Sequence, residues 1–201
     1  MEEQVIQKLS TIACLDDTVI DFFAEQWISL YNRKDVLWIS SLSITNLLQA
    51  DEQKQIRIIN KLGLGKYKEN NDIRACFFVL NSDFHWTLLV HFKDCNDFYL
   101  YDSLLLDSHK ELALQVYRLM IKYKATNKGS KLKRMFTYPQ QSSYWECGMY
   151  VLITSKILMR KRKIKKLKVD DIENCREYYS LDGCTRAKRL MLDYVVNKKE
   201  I

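Results

Sequence analysis

A thiol, an imidazole and a carboxylate occupy positions in this sequence from which a fold could bring them together. Cys147 opens an apolar run that is predicted to form a buried helix, and a loop is predicted before it. The N-terminus of a helix carries partial positive charge and free N–H groups, which favour a thiolate over a thiol. Gly148 leaves room beside the sulfur for an extended substrate. Cys147 is therefore a candidate nucleophile, although a cysteine in an apolar run is more often a core residue.

Polar residues at two predicted strand ends decide between these two interpretations. His85 begins one strand directly after a turn, and Asp102 ends the next strand. Adjacent antiparallel strands bring the start of one beside the end of the other, so these side chains are expected to meet at one edge of a sheet. Taken alone, His85 would be a surface histidine and Asp102 a turn residue. Together with Cys147 they have the pattern of a thiol–imidazole–carboxylate triad.

Each member of such a triad has a defined role. His85 takes the thiol proton and later protonates the leaving amine, while Asp102 orients the imidazole ring and stabilises its charged form. Gln141 lies in the loop that leads to Cys147, and a side-chain amide there can donate a hydrogen bond to a developing oxyanion. The sequence therefore predicts acyl-transfer chemistry with these four residues as the catalytic set.

Three short buried strands in succession are predicted at the centre of the chain, at residues 73–80, 85–92 and 97–101. The turns between them, at 81–84 and 93–96, indicate an antiparallel meander. Further short strands are predicted at 36–39 and 134–138. Helical periodicity occurs before and after the meander, at about 16–31, 40–48, 53–62, 108–123, 147–158, 170–179 and 184–196, with Ser108 and Glu111 at the spacing of a capping box. This order of elements predicts an α+β fold.

Composition limits the class of protein. A chain of 201 residues with 47% hydrophobic residues is expected to form a single domain, residues 1–201. No apolar stretch reaches the length of a membrane span, and the acidic N-terminus is unlike a secretory signal, so no membrane association is expected. The six cysteines form no C-x-x-C pair and the histidines do not cluster with them, so neither a metal nor a cofactor is expected. Reduced thiols place the protein in the cytoplasm or the nucleus.

The net charge of +7 comes from one segment, referred to below as the basic run. It comprises Lys156, Arg160, Lys161, Arg162, Lys163, Lys165, Lys166 and Lys168, and the rest of the chain is close to neutral. The run contains neither interleaved aromatic residues nor a known nucleic-acid module, so nucleic acid is not an expected partner. A solvated helix end, a nuclear-localisation signal and an electrostatic docking patch all stay open.

The sequence resembles the Ulp-type cysteine proteases, which remove SUMO and related ubiquitin-like modifiers. The resemblance rests on His85-Trp86, on Tyr99-x-Tyr101-Asp102-Ser103 and on Gln141 with Cys147-Gly148, and it extends from about Leu15 to Leu158. The short single-domain form is most similar to the deneddylase branch. The resemblance implies the papain-related Ulp/adenain-type fold, a central mixed or antiparallel sheet flanked by helices. It also implies that the four residues named above are the catalytic set.

The resemblance further implies a substrate-binding slot. Members of the family usually have two tryptophans that close a narrow tunnel over the Gly-Gly tail of the modifier. Trp86 matches one of them, whereas Cys14 stands where the other is usual, before the Leu15-x-Asp17 motif. Trp86, Cys14 and Asp17 are therefore the expected substrate-binding residues. The residue before the nucleophile is Glu146, where aspartate is usual.

These observations predict a monomeric thiol isopeptidase that cleaves after the C-terminal Gly-Gly of a ubiquitin-like modifier. The modifier could be Nedd-type, SUMO or ubiquitin, and either precursor processing or deconjugation could dominate. In a bacterial effector on this scaffold, the host cell cytosol would be the compartment. One alternative is an acyltransferase on the same scaffold, against which Gln141 and Trp86 argue. Another is a catalytically silent module that binds ubiquitin-like proteins, against which the complete catalytic set argues.

Overall fold

A mixed five-stranded sheet organises the computed structural model, which describes residues 2–11, 13–127, 129–161 and 163–197. The strands lie in sequence order across the sheet: β1 (Val36–Ile39), β2 (Ala75–Ser82), β3 (His85–Phe92), β4 (Asp97–Tyr101) and β5 (Leu132–Arg134). The central strands β2, β3 and β4 are antiparallel, while β1 and β5 run parallel to their neighbours. The predicted meander is therefore the centre of the sheet.

Eight α-helices are present in the described part of the chain. They are α1 (Glu2–Leu9), α2 (Asp17–Leu30), α3 (Ser41–Gln49), α4 (Glu52–Lys61), α5 (Asp107–Lys122), α6 (Cys147–Arg160), α7 (Val169–Glu173) and α8 (Leu181–Asn197). Short 3₁₀ turns occupy Leu64–Lys66 and Arg176–Tyr179. The α+β class and the flanked mixed sheet agree with the sequence prediction.

The two faces of the sheet build two hydrophobic cores. Successive side chains of a strand point to opposite faces, and β2 shows this alternation. Phe77 and Val79 belong to the core formed with α1, α2, α6 and α8. Cys76, Phe78 and Leu80 belong to the core formed with α3, α4 and α5. Every residue of β3 is buried, so the strand that starts at His85 is held on both faces.

Several boundaries differ from the sequence-based prediction. Asn81 and Ser82 belong to β2 rather than to a turn, because a two-residue hairpin at Asp83-Phe84 suffices. Asp83 and Phe84 have positive φ angles of 50° and 60°, as a two-residue hairpin turn of this kind requires. The predicted strand at 134–138 is wrong, since β5 ends at Arg134.

The helix ends also need correction. The predicted capping box at Ser108 and Glu111 is wrong, because α5 starts at Asp107 after Leu106 and no side chain caps it. The predicted helix at 170–179 is divided into α7 and a separate 3₁₀ turn.

In the basic run, Lys161 pairs with Asp171 at 2.5 Å, and Arg162 lies outside the described residues.

A buried polar cluster fixes α6, the helix that begins at Cys147. The hydroxyl of Thr154 donates to the carbonyl of Tyr150 at 2.7 Å. It also meets the hydroxyls of Tyr138 at 2.5 Å and Tyr179 at 3.0 Å. Tyr138 precedes the loop to Cys147, and Tyr179 ends a 3₁₀ turn. The cluster therefore ties the helix to the segments before and after it.

We expect Thr154→Val to lower the free energy of unfolding by about 1–3 kcal/mol, because two buried tyrosine hydroxyls lose their common partner. Chemical denaturation followed by circular dichroism measures this loss. Ser155→Ala is the matched control, since the buried Ser155 hydroxyl has no hydrogen-bond partner in the described part of the chain. Its effect should stay below about 1 kcal/mol. Equal losses in both variants would contradict a specific role for the cluster.

Candidate active site

The imidazole of His85 and the carboxylate of Asp102 meet at one edge of the sheet. The strand register pairs Leu88 with Tyr101, so Asp102, the residue after β4, lies beside the start of β3. The Nε2 atom of His85 is 2.9 Å from Oδ1 of Asp102. Both side chains are buried. The structure thus places these two residues together as the antiparallel register predicts.

Four donors surround the Asp102 carboxylate. Oδ1 accepts from His85 and from the N–H of Leu104 at 3.0 Å. Oδ2 accepts from the N–H of Leu106 at 2.8 Å and from the guanidinium of Arg134 at 2.9 Å. Leu105, between the two backbone donors, has a φ of 53°, which turns the chain around the carboxylate. A buried anion is tolerable only with such compensation.

These contacts keep Asp102 ionised. Burial acts to raise its pKa, but the hydrogen bonds from His85 and from the Leu104 N–H, with the charges of His85 and Arg134, act in the opposite direction. The result is a pKa below the ordinary value of an aspartate. Asp102 is therefore a carboxylate that can accept from His85 and stabilise an imidazolium.

The other nitrogen of His85 is available for chemistry. Its Nδ1 atom is buried and has no hydrogen-bond partner within the described residues. With Nε2 donating to Asp102, a neutral ring has an acceptor lone pair on Nδ1. The ring also packs edge-on against His109, with ring centroids 4.7 Å apart. Nδ1 is thus the ring nitrogen that is left for a second partner.

His109 is a neighbour that the sequence did not point to. Its Nε2 lies 2.9 Å from the carbonyl of Ser82, and its Nδ1 lies 3.1 Å from the hydroxyl of Thr87. Burial lowers the pKa of His109, opposed by the bond to Ser82. A neutral His109 therefore supports the His85 ring without adding a second positive charge beside it.

Cys147 is the first residue of α6, as predicted. Its side chain is buried, and the sulfur lies 4.0 Å from the carbonyl oxygen of Tyr144. Burial raises the pKa of the thiol above its ordinary value. The backbone N–H groups of Trp86, Gly148 and Cys147 lower it, but they do not outweigh burial and the neighbouring Cys14, which also raises it. The N–H groups at the helix N-terminus act toward the thiolate, but the pKa stays above its ordinary value, so the expected preference for a thiolate is not met and the thiol needs a base to lose its proton.

Glu146 organises the loop that presents Cys147. Its Oε2 atom accepts from the N–H of Ser142 at 2.7 Å and from the N–H of Ser143 at 2.6 Å. It also accepts from the Ser142 hydroxyl at 3.1 Å. The carboxylate is fully buried, so these donors offset its desolvation. The sequence singled out Glu146 only as a departure from the family pattern, and its loop contacts were not foreseen.

Gln141 connects this loop to the end of β4. Its N–H donates to the carbonyl of Ser103 at 3.1 Å, and its Oε1 accepts from the Ser103 hydroxyl at 2.6 Å. Its Nε2 donates to the carbonyl of Ser143 at 2.9 Å. A primary amide carries two N–H donors, and the second has no acceptor among the described residues. These contacts orient the amide between Asp102 and Cys147, where its role as oxyanion donor stays a prediction.

The expected substrate-binding residues do not share one environment. Trp86 is buried, and its indole N–H donates to the carbonyl of Leu15 at 2.8 Å. Cys14 is half-buried, with its sulfur 3.7 Å from the carbonyl oxygen of Tyr144. Asp17 begins α2, and its carboxylate accepts from the N–H of Thr18. Trp86 and Cys14 therefore adjoin the nucleophile, whereas the carboxylate of Asp17 serves its own helix end.

Arg134 was missed as a member of the site. It pairs with Leu100 across β4 and β5, which brings its side chain to Asp102 two residues further along. The sequence offered one signal for this role, which was the positive charge of Arg134 on a short predicted strand. Its parallel pairing with β4 could not be deduced from the local sequence.

Exposed apolar side chains occur close in sequence to His85, Asp102 and Cys147. Phe84, directly before His85, is 95% exposed, and Tyr144, in the loop before Cys147, is 72% exposed. Leu104, two residues after Asp102, is 41% exposed. Each stands next to a different catalytic segment. These three exposed side chains are referred to below as the apolar rim.

Neither a metal centre nor a membrane helix is evident in the residues that the structure describes. No group of three or more His, Cys, Asp or Glu side chains there is arranged to hold a metal ion. No helix within those same ranges is long and apolar enough to cross a membrane.

Residues 13–189 match the family model of the Ulp1 protease family, C-terminal catalytic domain. The chain therefore belongs to the Ulp1 protease family, and the predicted Ulp-type membership is confirmed. It is also similar to the NEDD8-specific protease 1 of Arabidopsis thaliana, with 26% identity over 153 residues. That match covers 72% of this chain and 65% of the relative's length.

Solved structures confirm the fold. The C-terminal Ulp1 protease domain in complex with Smt3, the yeast orthologue of SUMO, is 16% identical with a TM-score of 0.69. This match covers 96% of this chain and 81% of that one. The Xanthomonas campestris effector XopD bound to ubiquitin is 21% identical with a TM-score of 0.58, covering 92% and 91% of the two chains. The predicted Ulp-type fold is thus the observed one.

We expect Asp102→Asn to reduce turnover by about 10³-fold or more, because the amide cannot stabilise an imidazolium. The melting temperature of each variant and the steady-state rates on a modifier-linked substrate measure the two effects separately. Asp107→Asn is the matched control, since the Asp107 carboxylate is exposed and only pairs with Arg134 at 3.5 Å. Full activity in Asp102→Asn would remove Asp102 from the catalytic set.

Arg134→Gln should raise the pKa of Asp102 and move the acidic limb of the kcat/KM profile to higher pH.

We expect Trp86→Ala to lower kcat more than it lowers modifier binding, because the ring helps position the modifier tail. Trp86→Phe retains a ring but loses the bond to Leu15, so its effect should be intermediate. Calorimetric affinity and turnover of a C-terminal fluorogenic conjugate separate binding from catalysis. A folded Trp86→Ala protein with wild-type turnover would exclude a tryptophan-lidded slot.

Proposed function

We propose that the protein is a thiol isopeptidase that cleaves after the C-terminal Gly-Gly of a ubiquitin-like modifier. The observation that carries this proposal is the buried His85–Asp102 pair, with the Cys147 thiol against the backbone N–H that follows His85. Family membership supports the same chemistry. An activated thiol, a base and an orienting acid are the parts that acyl transfer needs.

The catalytic cycle that we propose assigns one role to each residue of the triad. His85 takes the Cys147 proton through Nδ1, and the resulting imidazolium is stabilised by Asp102. The thiolate attacks the carbonyl carbon of the terminal glycine and forms a tetrahedral intermediate. Collapse of the intermediate expels the amine, which His85 protonates, and leaves a thioester on Cys147. A water molecule, deprotonated by His85, then hydrolyses the thioester and releases the modifier.

We expect two donors to stabilise the oxyanion of this intermediate. The free N–H of the Gln141 amide and the backbone N–H of Cys147 at the start of α6 are suited to this task. Ser103 and Ser143 hold the Gln141 amide in place, so little reorganisation is needed during the reaction. Preorganised donors of this kind stabilise the transition state more than the ground state.

The surroundings of Cys147 favour a slender tail on a globular substrate. The thiol is buried between the Trp86 backbone and the Cys14 segment, so only residues without side chains would fit beside it. The apolar rim of Phe84, Leu104 and Tyr144 offers contact area for a folded protein. Recognition would then combine a steric test of the tail with affinity from the body of the modifier.

Among modifiers, we expect the Nedd-type protein to be preferred. The similarity to a NEDD8-specific protease supports this choice, while relatives bound to the SUMO orthologue and to ubiquitin keep these two as competitors. Six free cysteines support a reducing compartment, the cytoplasm or the nucleus. We expect a monomer that acts on protein conjugates rather than on nucleic acid. The basic run would then serve solubility, targeting or docking.

We expect a panel of modifiers with a C-terminal thiol-reactive group to label the protein, and the Nedd-type modifier to react fastest. Reaction requires both docking of the body and threading of the tail, so the rate reports recognition and chemistry together. Peptide mapping should locate the adduct on Cys147. Cys147→Ala should form no adduct, while Cys95→Ser, which alters an exposed thiol, should react like the wild type.

The absence of an adduct with every modifier would contradict the proposal. Turnover of acetyl-coenzyme A would then identify an acyltransferase, and binding of a modifier without turnover would identify a silent module. Labelling that persists in Cys147→Ala would show that another cysteine is the reactive one.

A further inference from the structure

A second thiol stands beside the nucleophile. The sulfur of Cys14 lies 3.7 Å from the carbonyl oxygen of Tyr144, and the sulfur of Cys147 lies 4.0 Å from the same oxygen. The two sulfurs therefore cannot be further apart than these two distances combined. No step of the catalytic cycle uses the thiol of Cys14.

The backbone around the two cysteines is held together from several sides. A Cβ atom on Gly148 would lie 3.0 Å from the Cβ of Leu15, so the residues that follow the two cysteines are packed against each other. The indole of Trp86 donates to the carbonyl of Leu15 at 2.8 Å. These contacts keep Cys14 at the N-terminus of α6. Cys14 lies outside the helices and strands, and its side chain is half-buried.

The buried side chain of Lys188 holds the backbone that precedes Cys14. The ammonium of Lys188 donates to the carbonyls of Thr11 at 2.6 Å and Ala13 at 3.0 Å. Burial lowers the pKa of Lys188, and interaction with Cys14 opposes this effect. Cys14 therefore has the position of an attacking thiol, and its backbone is held there.

We propose that Cys14 is a resolving thiol, which captures an oxidised Cys147 as an intramolecular Cys14–Cys147 disulfide. The co-substrate is a peroxide. The proposal rests on the proposed function only in that Cys147 is a reactive thiol. A disulfide at this place blocks the nucleophile and also protects it, since it can be reduced again by an external thiol.

The chemistry is balanced in two steps. The thiolate of Cys147 attacks one peroxide oxygen, the O–O bond breaks, and hydroxide leaves while a sulfenic acid forms on Cys147. The thiolate of Cys14 then attacks the sulfenic sulfur, the S–S bond forms, and the S–O bond breaks with release of hydroxide. The two hydroxides take up the two thiol protons as water. Without Cys14 nearby, further peroxide converts the sulfenic acid to sulfinic acid, which thiols do not reduce.

The experiment exposes wild type, Cys14→Ser and Cys95→Ser to graded hydrogen peroxide, followed by dithiothreitol. Cys95→Ser is the matched control, because its thiol is exposed and remote in sequence from both partners. Non-reducing peptide mapping by mass spectrometry identifies the linked peptides and any sulfinic acid on Cys147. Activity is normalised to the untreated sample of each protein, and circular dichroism checks that each variant is folded.

Wild type and Cys95→Ser should lose two hydrogens in intact mass and show the Cys14–Cys147 linked peptide. After reduction they should regain about tenfold more of their activity than Cys14→Ser, in which Cys147 proceeds to sulfinic acid. The proposal is overturned if wild type shows no linked peptide, or if Cys14→Ser recovers as fully as wild type. Because the mapping needs no modifier, a linked peptide in a protein without protease activity would support the thiol pair and contradict only the proposed function.

Discussion

The carboxylate of Asp102 is the group around which the site is assembled. It has no exposed surface, and it meets a ring nitrogen, two backbone N–H groups and a guanidinium. An isolated buried charge would be several kcal/mol too costly to keep. The start of β3, the loop into α5 and the end of β5 must therefore all converge on this one residue. His85 acquires a defined ring orientation as a consequence.

Burial has a cost and a benefit at Cys147. It raises the pKa of the thiol, so the free protein is not committed to a thiolate. The same low dielectric strengthens the interaction between a thiolate and an imidazolium once the proton has moved to His85. The N–H groups around the sulfur add to that stabilisation. The raised pKa therefore favours a protonated thiol in the resting protein, and the thiolate forms when its base takes the proton.

The loop before α6 is held by contacts that no regular element supplies. Glu146 accepts from two backbone N–H groups of the loop, Gln141 ties the loop to Ser103, and Thr154 ties the helix to Tyr138. These bonds join the nucleophile to the acid through a few residues of irregular chain. The position of Cys147 relative to His85 thus depends on polar contacts as much as on the hydrophobic cores.

The sequence was sufficient for the α+β class, the meander and the pairing of His85 with Asp102. Alternating apolar periods reveal strands and helices locally, and an antiparallel register brings one strand start to one strand end. It was also sufficient for Cys147 at a helix start, because the apolar run begins there. The ends of the strands were less well predicted. The sequence pattern around Asp83-Phe84 is compatible with several strand registers, and each register would end β2 at a different residue.

Only the tertiary structure decided which side chains support the triad. Arg134 reaches Asp102 through a parallel strand pairing, His109 packs on His85 from α5, and Cys14 approaches Cys147 from the other end of the chain. Each of these contacts joins segments that are distant in sequence, and local periodicity carries no information about such pairs. The sequence by itself determined which chemistry is possible, because residue types and the periodicity of apolar residues can be read from short stretches of the chain. The pKa of each group and the neighbours of each thiol were decided by packing, because burial and charge are properties of the folded whole.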